Sequence, residues 1–300
     1  MSAVAEEESD TKIFCCASCG TAGVDDVELM NCTTGCYLVK YCSVKCQEDH
    51  RPDHEEECKQ RAAELHDEIL FKQPEGNYDG DCPICCLPLS FDTTRSTTIL
   101  MSCCGKIICD GCHYTNRRLQ PKCPFCRKDL PSTDEEWNER LLKRIEVNDP
   151  IALSQMGTER YDEEAYISAF GYWTRAAALG NVDAHYRLGS LYRDGEGVEK
   201  DEKRAVWHFE EAAIAGHPIA RHNLGWLEVV NDRMDRAAKH WIIAAKLGFD
   251  VSLRNVKSAY KNGHVSKEDF AATLRGYHAA IVATKSPQRQ EAEKNEQLPA

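Results

Sequence analysis

Residues 82–126 read CPICCLPLSFDTTRSTTILMSCCGKIICDGCHYTNRRLQPKCPFC. Nine cysteines fall within these 45 residues, and they come in groups. Cys82 and Cys85 open the stretch, Cys103 and Cys104 stand side by side, Cys109 and Cys112 follow, and Cys123 and Cys126 close it. Two thiolates separated by two residues can reach one metal ion from a tight turn, and tetrahedral zinc takes four such ligands. Three C-x-x-C pairs leave one pair short of two complete sites, and the adjacent Cys103 and Cys104 supply it. The segment is therefore expected to fold around metal, because it has little apolar core of its own.

The rest of the composition agrees with metal rather than disulfides. All 17 cysteines of the 300-residue chain lie before residue 127. The opening MSAVAEEESD carries acids where a signal peptide needs a basic end and an apolar core. With no export signal the cysteines face a reducing compartment, cytoplasmic or nuclear, where they read as metal ligands. No run of about 18 apolar residues occurs, so no membrane span is expected. A net charge of -12 argues against a nucleic-acid partner, which needs a basic face. Residues 81–130 run the other way, with seven Lys or Arg against four Asp or Glu. That +3 module reads as a solvated basic face or as a docking face for an acidic, ubiquitin-related partner.

The gap lengths in 82–126 resemble the RING finger, a cross-braced module of two zinc ions. The resemblance implies that Cys82, Cys85, Cys109 and Cys112 hold one ion and that Cys103, Cys104, Cys123 and Cys126 hold the other. Most RING fingers place a histidine at the fourth ligand, where this chain has Lys106, a poor ligand while protonated. The four residues between Cys104 and Cys109 instead resemble the all-cysteine variant. Third and fourth ligands are usually one residue apart even there, so His113 stands as a substitute for Cys103 or Cys104. In RING ubiquitin ligases the residue between the first two ligands, here Ile84, and one between the last two, here Pro124, help grip the ubiquitin-conjugating enzyme. A basic residue directly after the last ligand, here Arg127, contacts that enzyme and its ubiquitin and holds the thioester in a reactive pose. Such a module supplies orientation and no nucleophile, so no catalytic side chain is assigned.

A second constellation begins at Cys15: CCASCG, NCTTGC, then YCSVKCQEDHRPDHEEEC. It resembles the MYND zinc finger over residues 15–58. The resemblance implies interleaved zinc sites, with Cys16, Cys19, Cys42 and Cys46 at one and Cys32, Cys36, His54 and Cys58 at the other. His54 and Cys58 are an i, i+4 pair and reach one metal from one helical face. His50 fits that spacing less well. Many MYND fingers bind short proline-containing peptides and carry a tryptophan after the first histidine, where this chain has Arg51. Seven cysteines in this finger and eight in the next leave Cys15 and Cys86. The x2 spacings to Cys19 and Cys82 select Cys16 and Cys85 over those neighbours. Four zinc ions are expected in all.

Between the fingers, residues 59–80 are expected to extend a helix through KQRAAELHDEILFK, with Leu65, Ile69 and Leu70 on its apolar side, until QPEGNYDG breaks it. After the second finger, residues 131–149 predict a connecting helix capped by Ser132 or Thr133, with Trp137, Leu141, Leu142 and Ile145 on one side. From residue 150 the chain repeats itself. AALGNVDAHYRLG returns 36 residues later as AIAGHPIARHNLG, and AAKLGFDVSLRNV follows after 32 more. With the loop RDGEGVEKD, this resembles the Sel-1-like class of tetratricopeptide-like repeats over 150–283. Four helix pairs are expected, at 150–179, 182–215, 217–247 and 249–283. Gly180, Gly216 and Gly248 read as C-caps, and the Leu188-Gly189 and Leu224-Gly225 steps as helix crossings. Trp173, Trp207, Trp226 and Trp241 are expected in core or inter-repeat packing. The repeats hold no ligand set and are expected to fold without metal. The acidic 1–14 and polar 284–300 read as disordered tails.

The fold class is therefore multidomain: two small cross-braced zinc fingers followed by an all-α helical-repeat solenoid. Two functions fit. In one, the second finger recruits a ubiquitin-conjugating enzyme and the repeats hold a protein substrate. In the other, all three modules bind proteins without catalysis. No phosphate loop, nucleophile elbow or paired-acid motif supports a conventional active site.

Overall fold

The computed structural model describes residues 16–19, 29–32, 38–90 and 97–296. The 1–14 segment, Cys15 and Cys36 lie outside them. The chain divides into two compact units, Met1–Leu70 and Phe71–Ala300.

In the first unit, strand β1 (Met30–Asn31) pairs antiparallel with β2 (Lys40–Tyr41), and helix α1 (Val44–Leu70) follows. Ser43 Oγ accepts the Cys46 N–H near the start of α1. The helix runs 27 residues and contains Pro52. Its solvent side is laced by pairs such as Lys59–Glu55 (2.6 Å) and Arg61–Glu64 (3.1 Å), which favour helix at i, i+4 and i, i+3 spacings. It extends past the finger as the sequence suggested, but of the expected apolar side only Leu70 is fully buried and Ile69 is exposed. The core of this finger is Cys16, Cys32, Tyr41 and Cys58, with Leu29 and Val39 against it.

The second unit opens with the RING-like module. Strand β3 (Thr98–Met101) pairs antiparallel with β4 (Lys106–Cys109), Thr98 facing Cys109, and helix α2 (Asp110–Leu119) leaves directly from β4. Gly105 turns the hairpin at φ +70°, where a side chain would also run into Arg144 and Asp149. Its core is Leu89, Met101 and Ile108 among the cysteines. Helix α3 (Asp134–Glu146) is the expected connecting helix. Thr133 Oγ1 accepts from Glu136 N–H, and Glu136 Oε2 accepts from Ser132 N–H, a reciprocal cap that uses both residues proposed for it. Leu141 and Ile145 are buried, whereas Leu142 faces solvent.

Eight helices then form the four expected pairs: α4 (Pro150–Asp162) with α5 (Tyr166–Ala178), α6 (Val182–Asp194) with α7 (Glu202–Ile214), α8 (Pro218–Val230) with α9 (Met234–Lys246), and α10 (Asp250–Lys261) with α11 (Lys267–Ala283). Gly180, Gly216 and Gly248 follow helix ends at φ +82°, +93° and +96°, a region glycine enters without steric cost. One device recurs at the crossings. A Cβ at Gly157 would strike the Trp173 indole, one at Gly189 would sit 2.7 Å from the Phe209 ring, and one at Gly225 would strike the Trp241 indole. Trp173 and Trp241 are thus packing residues, as expected. Trp207 and Trp226 pack only at the rim; both are about half exposed, at 52% and 51%, and Trp226 meets the Trp241 ring edge-on at 6.1 Å. Each lies beside histidines, Trp207 edge-on to His185 and His208 and Trp226 bonded to His222. The helical period that flags them as apolar does not distinguish the inner face of a pair from its rim.

Two segments tie the RING-like module to the repeats. Residues 71–79 run along the repeats. Phe71 packs on His240 with the Arg236 guanidinium over its ring, and Tyr78 stacks on His217 at 4.5 Å, which stacks in turn on Tyr186 at 4.5 Å. A Cβ at Gly216 would stand 2.6 Å from the Gly76 carbonyl. The second segment corrects the expectation of a disordered 284–300 tail over its described part, 284–296, with 297–300 outside the described residues. Residues Pro287–Glu296 form helix α12, which packs on α2. Its composition is too polar to announce burial, yet Ala292 and Arg289 are buried, at 2% and 6% exposure. What holds α12 is a set of polar bonds to distant carbonyls, which no local pattern reveals.

Candidate metal centres

Among the described residues four clusters of ligand atoms stand together, and within each the atoms lie within 4.8 Å of one another. They are Cys16, Cys19, Cys42 and Cys46; Cys32, His54 and Cys58; Cys82, Cys85, Cys109 and Cys112; and Cys103, Cys104, Cys123 and Cys126. Sulfur–sulfur distances are 3.5 Å for Cys19–Cys42, 3.6 Å for Cys32–Cys58, 3.9 Å for Cys85–Cys109, 3.7 Å for Cys104–Cys123 and 3.3 Å for Cys103–Cys126. Sulfurs at about 2.3 Å from a tetrahedral zinc stand roughly 3.8 Å apart, so these sets have the spread that the ion requires.

In the first finger β2 and the start of α1 present Cys42 and Cys46, and the middle of α1 presents His54 and Cys58. Their partners come from the segments containing Cys16–Cys19 and Cys32. His50 is drawn off elsewhere: its Nδ1 is 3.1 Å from the Tyr41 hydroxyl, and its ring stacks on His54. Cys36, the fourth expected ligand of the His54 set, is outside the described residues.

The RING-like module builds its two sets from one knuckle used twice. Cys82 N–H donates to Leu87 O (2.9 Å) and Cys86 N–H to Cys82 O (2.8 Å); Cys123 N–H donates to Lys128 O (2.7 Å) and Arg127 N–H to Cys123 O (3.0 Å). Short bridges Asp81–Pro88 and Lys122–Asp129 close both loops. In each, the residue after the second cysteine sits at positive φ, Cys86 at 55° and Arg127 at 63°. The likeness of CPICCLPL to CPFCRKDL is the sequence signal for this equivalence. Backbone N–H groups of Cys109 and Cys112 point at Cys82 Sγ and Cys109 Sγ, each at 3.4 Å, a bond type that favours thiolate. The sets interleave, first with third pair and second with fourth. His113 belongs to neither cluster, which leaves Cys103 and Cys104 both in place. Ile84, Phe125 and Arg127 are exposed and Pro124 is half-buried.

A polar cluster fastens the 71–79 segment. Asp183 lies 3.5 Å from His217 Nε2 and 3.3 Å from Arg187 Nε. His217 Nδ1 accepts the Ala220 N–H, so its Nε2 carries the proton that faces Asp183. Burial acts to raise the Asp183 carboxyl, but the His217 bond and the Arg187 charge outweigh it and hold the group at about 2. Asp79 lacks such support; burial, and then the Asp183 charge, push it up to about 6.

The MYND finger family model matches residues 16–58, and the Sel1 repeat model matches residues 153–181 and 182–217. Neither covers residues 81–130. The chain thus carries a MYND finger, which implies zinc binding, and Sel1 repeats. Among solved structures, a protective antigen of uropathogenic Escherichia coli strains displaying an SLR fold is 23% identical, over 52% of this chain and 37% of that one, with a TM-score of 0.43. A Sel1 repeat protein from Oxalobacter formigenes is 17% identical over 56% of this chain and 80% of its own, at 0.42. An immunity protein from Pseudomonas aeruginosa is 18% identical over 62% and 71%, at 0.39. The chain spans about a third of the first of these. The finger and the repeats support a binding or adaptor role. No helix among the described residues is long and apolar enough to cross a membrane.

Proposed function

We propose that the chain is a zinc-dependent RING-type ubiquitin ligase of a reducing, cytoplasmic or nuclear compartment. The observation that carries this reading is the interleaving of two four-cysteine sets around a ββα core with apolar side chains left in solvent beside both knuckles. Ile84 is 42% and Phe125 37% exposed. Exposed apolar groups on a small rigid module are what a protein partner buries. The two sets of this module and the two of the MYND finger would hold four zinc ions, whose role is structural: they fix the knuckles, while Ile84 and Pro124 contact a ubiquitin-conjugating enzyme. Arg127, placed by its positive-φ turn beside Cys126, orients the enzyme–ubiquitin thioester. The repeats hold a protein substrate, and the half-exposed Trp207 and Trp226 supply aromatic anchors of the kind that dominate such interfaces.

The test is ubiquitin discharge from a panel of charged conjugating enzymes by the zinc-loaded full chain. Ile84→Ala weakens enzyme binding. Arg127→Ala leaves binding nearly intact and slows discharge by about tenfold or more, since orientation alone can supply several kcal/mol of barrier reduction. No discharge across a broad panel rejects the ligase and leaves a three-module adaptor. Equal discharge by wild type and Arg127→Ala rejects the role given to Arg127 alone.

A further inference from the structure

The buried Arg289 has no carboxylate among its bonds. Its Nη1 donates to Pro88 O (2.7 Å) and Thr284 O (2.8 Å), and its Nη2 to Leu87 O (3.3 Å) and to Cys85 Sγ (3.7 Å). A guanidinium stays protonated in proteins, and a charge this buried requires a counter-charge. The nearest chemistry able to provide one is the cysteine cluster itself. Four thiolates around a divalent zinc carry a net charge of about -2, and N–H groups aimed at ligand sulfurs are the usual way such charge is dispersed. The approach of α12 is built for this. A Cβ on Gly111, between Cys109 and Cys112, would stand 2.6 Å from the Arg289 backbone nitrogen, so a side chain there would push the helix away. Ala292 seats the next turn, and Arg118–Glu291 (3.2 Å) closes the exposed edge.

We propose that Arg289 is the outer-shell counter-ion of the Cys82–Cys85–Cys109–Cys112 zinc site, so that the C-terminal helix α12, whose Arg289 is 204 residues from Cys85 in sequence, completes the RING-like module. This rests on the reading that these four cysteines hold zinc. The guanidinium lowers the electrostatic cost of the four-thiolate site and slows loss of its ion. It also binds the Leu87 and Pro88 carbonyls that follow the first knuckle, so ion retention and knuckle shape depend on one side chain. The exposed Arg118–Glu291 pair makes no such contribution.

The experiment follows zinc transfer from the full zinc-loaded chain to an excess of a chromophoric chelator. Released thiols are alkylated and mapped by mass spectrometry. Arg289→Ala is expected to release one ion about tenfold faster or more, the scale of outer-shell losses at zinc sites, with alkylation appearing first at Cys82, Cys85, Cys109 and Cys112. Arg289→Lys, which keeps charge but loses the fork, falls between. Ending the chain after Thr284 reproduces the Arg289→Ala rate, and Arg118→Ala stays at the wild-type rate. Wild-type release by both Arg289→Ala and the truncated chain overturns the proposal. So does acceleration shared by every ion, or accompanied by loss of the repeats' helical signal, because that marks a general packing role. Wild-type protein whose Cys82 set is alkylated without any zinc release fails at the earlier step, the metal reading.

Discussion

The two fingers share their ligand chemistry and differ in their autonomy. In the MYND finger Cys46, His54 and Cys58 come from a 27-residue helix and the other ligands from the segments before it, and the finger with that helix forms a unit of its own. The RING-like finger gathers its cysteines to the same closeness but belongs to the same unit as the repeats. Leu100 of its hairpin joins the hydrophobic cluster of α3 to α6, Gly105 lies under the Arg144–Asp149 pair, residues 71–79 run along the repeats, and α12 covers α2. A count of zinc ligands therefore says how a finger closes, and neighbouring apolar and stacking residues say whether it stands alone.

The sharpest way to break the comparison is to remove one ligand from each finger. A structural zinc contributes on the order of 10 kcal/mol of folding free energy. Cys109→Ser should therefore lower the calorimetric transition of the 71–300 unit by more than about 10 °C, whereas Cys42→Ser should leave that transition in place. This replaces the expectation, drawn from the sequence, that the repeats melt without regard to metal. Equal shifts from the two substitutions would mean that the units are not thermally separate.

Next in size is the anchor of the 71–79 segment. Tyr78→Ala deletes the ring stacked on His217 and should cost about 3 kcal/mol by chemical denaturation, with an unchanged first unit. A loss under about 0.5 kcal/mol, the scale of ordinary surface substitutions, would show that the segment only rests on the repeats. Within the repeats, Gly225→Ala drives a methyl into the Trp241 indole and should cost about 1–3 kcal/mol. Gly171, where an added Cβ meets nothing within 4 Å, should accept alanine at no cost.

The smallest effect is a pH dependence. Asp79 is raised to about 6, so the folded chain favours its protonated form. The stability linked to it is full below the unfolded value of about 4 and is lost as pH rises through 6. Asp79→Asn should therefore stabilise the second unit by about 1–2 kcal/mol at pH 7.5 and by almost nothing at pH 4. Asp183 works in the opposite sense: it is held at about 2, and its contribution is present above the ordinary carboxylate range and fails as pH falls toward 2. Denaturation midpoints of Asp79→Asn and wild type across this range that stay parallel would remove Asp79 from the docking of 71–79.

Much of the metal architecture was legible because ligand spacing is local. A C-x-x-C turn or an i, i+4 His–Cys pair is complete within five residues, and the choices of Cys16 over Cys15 and Cys85 over Cys86 followed from that spacing alone. The repeat period was equally legible, since each of the first three helix pairs carries a capping glycine and a crossing glycine. Surfaces were less so. The helical period placed Trp207 and Trp226 with Trp173 and Trp241, because all four look alike on a helix, yet only the last two face a glycine across a crossing.

The sequence by itself determined the clustering of its cysteines, the four helix pairs and their caps, because each depends on residues close together in the chain. Only the tertiary structure decided that the linker lies on the repeats through Tyr78 and Phe71, and that a tail with the composition of a disordered segment becomes α12. Both outcomes depend on partners many residues away: His217 for Tyr78, and the Leu87 and Pro88 carbonyls and the Cys85 sulfur for Arg289. A polar side chain satisfied by distant backbone leaves no periodic mark, so its burial becomes visible only when the chain has closed on itself.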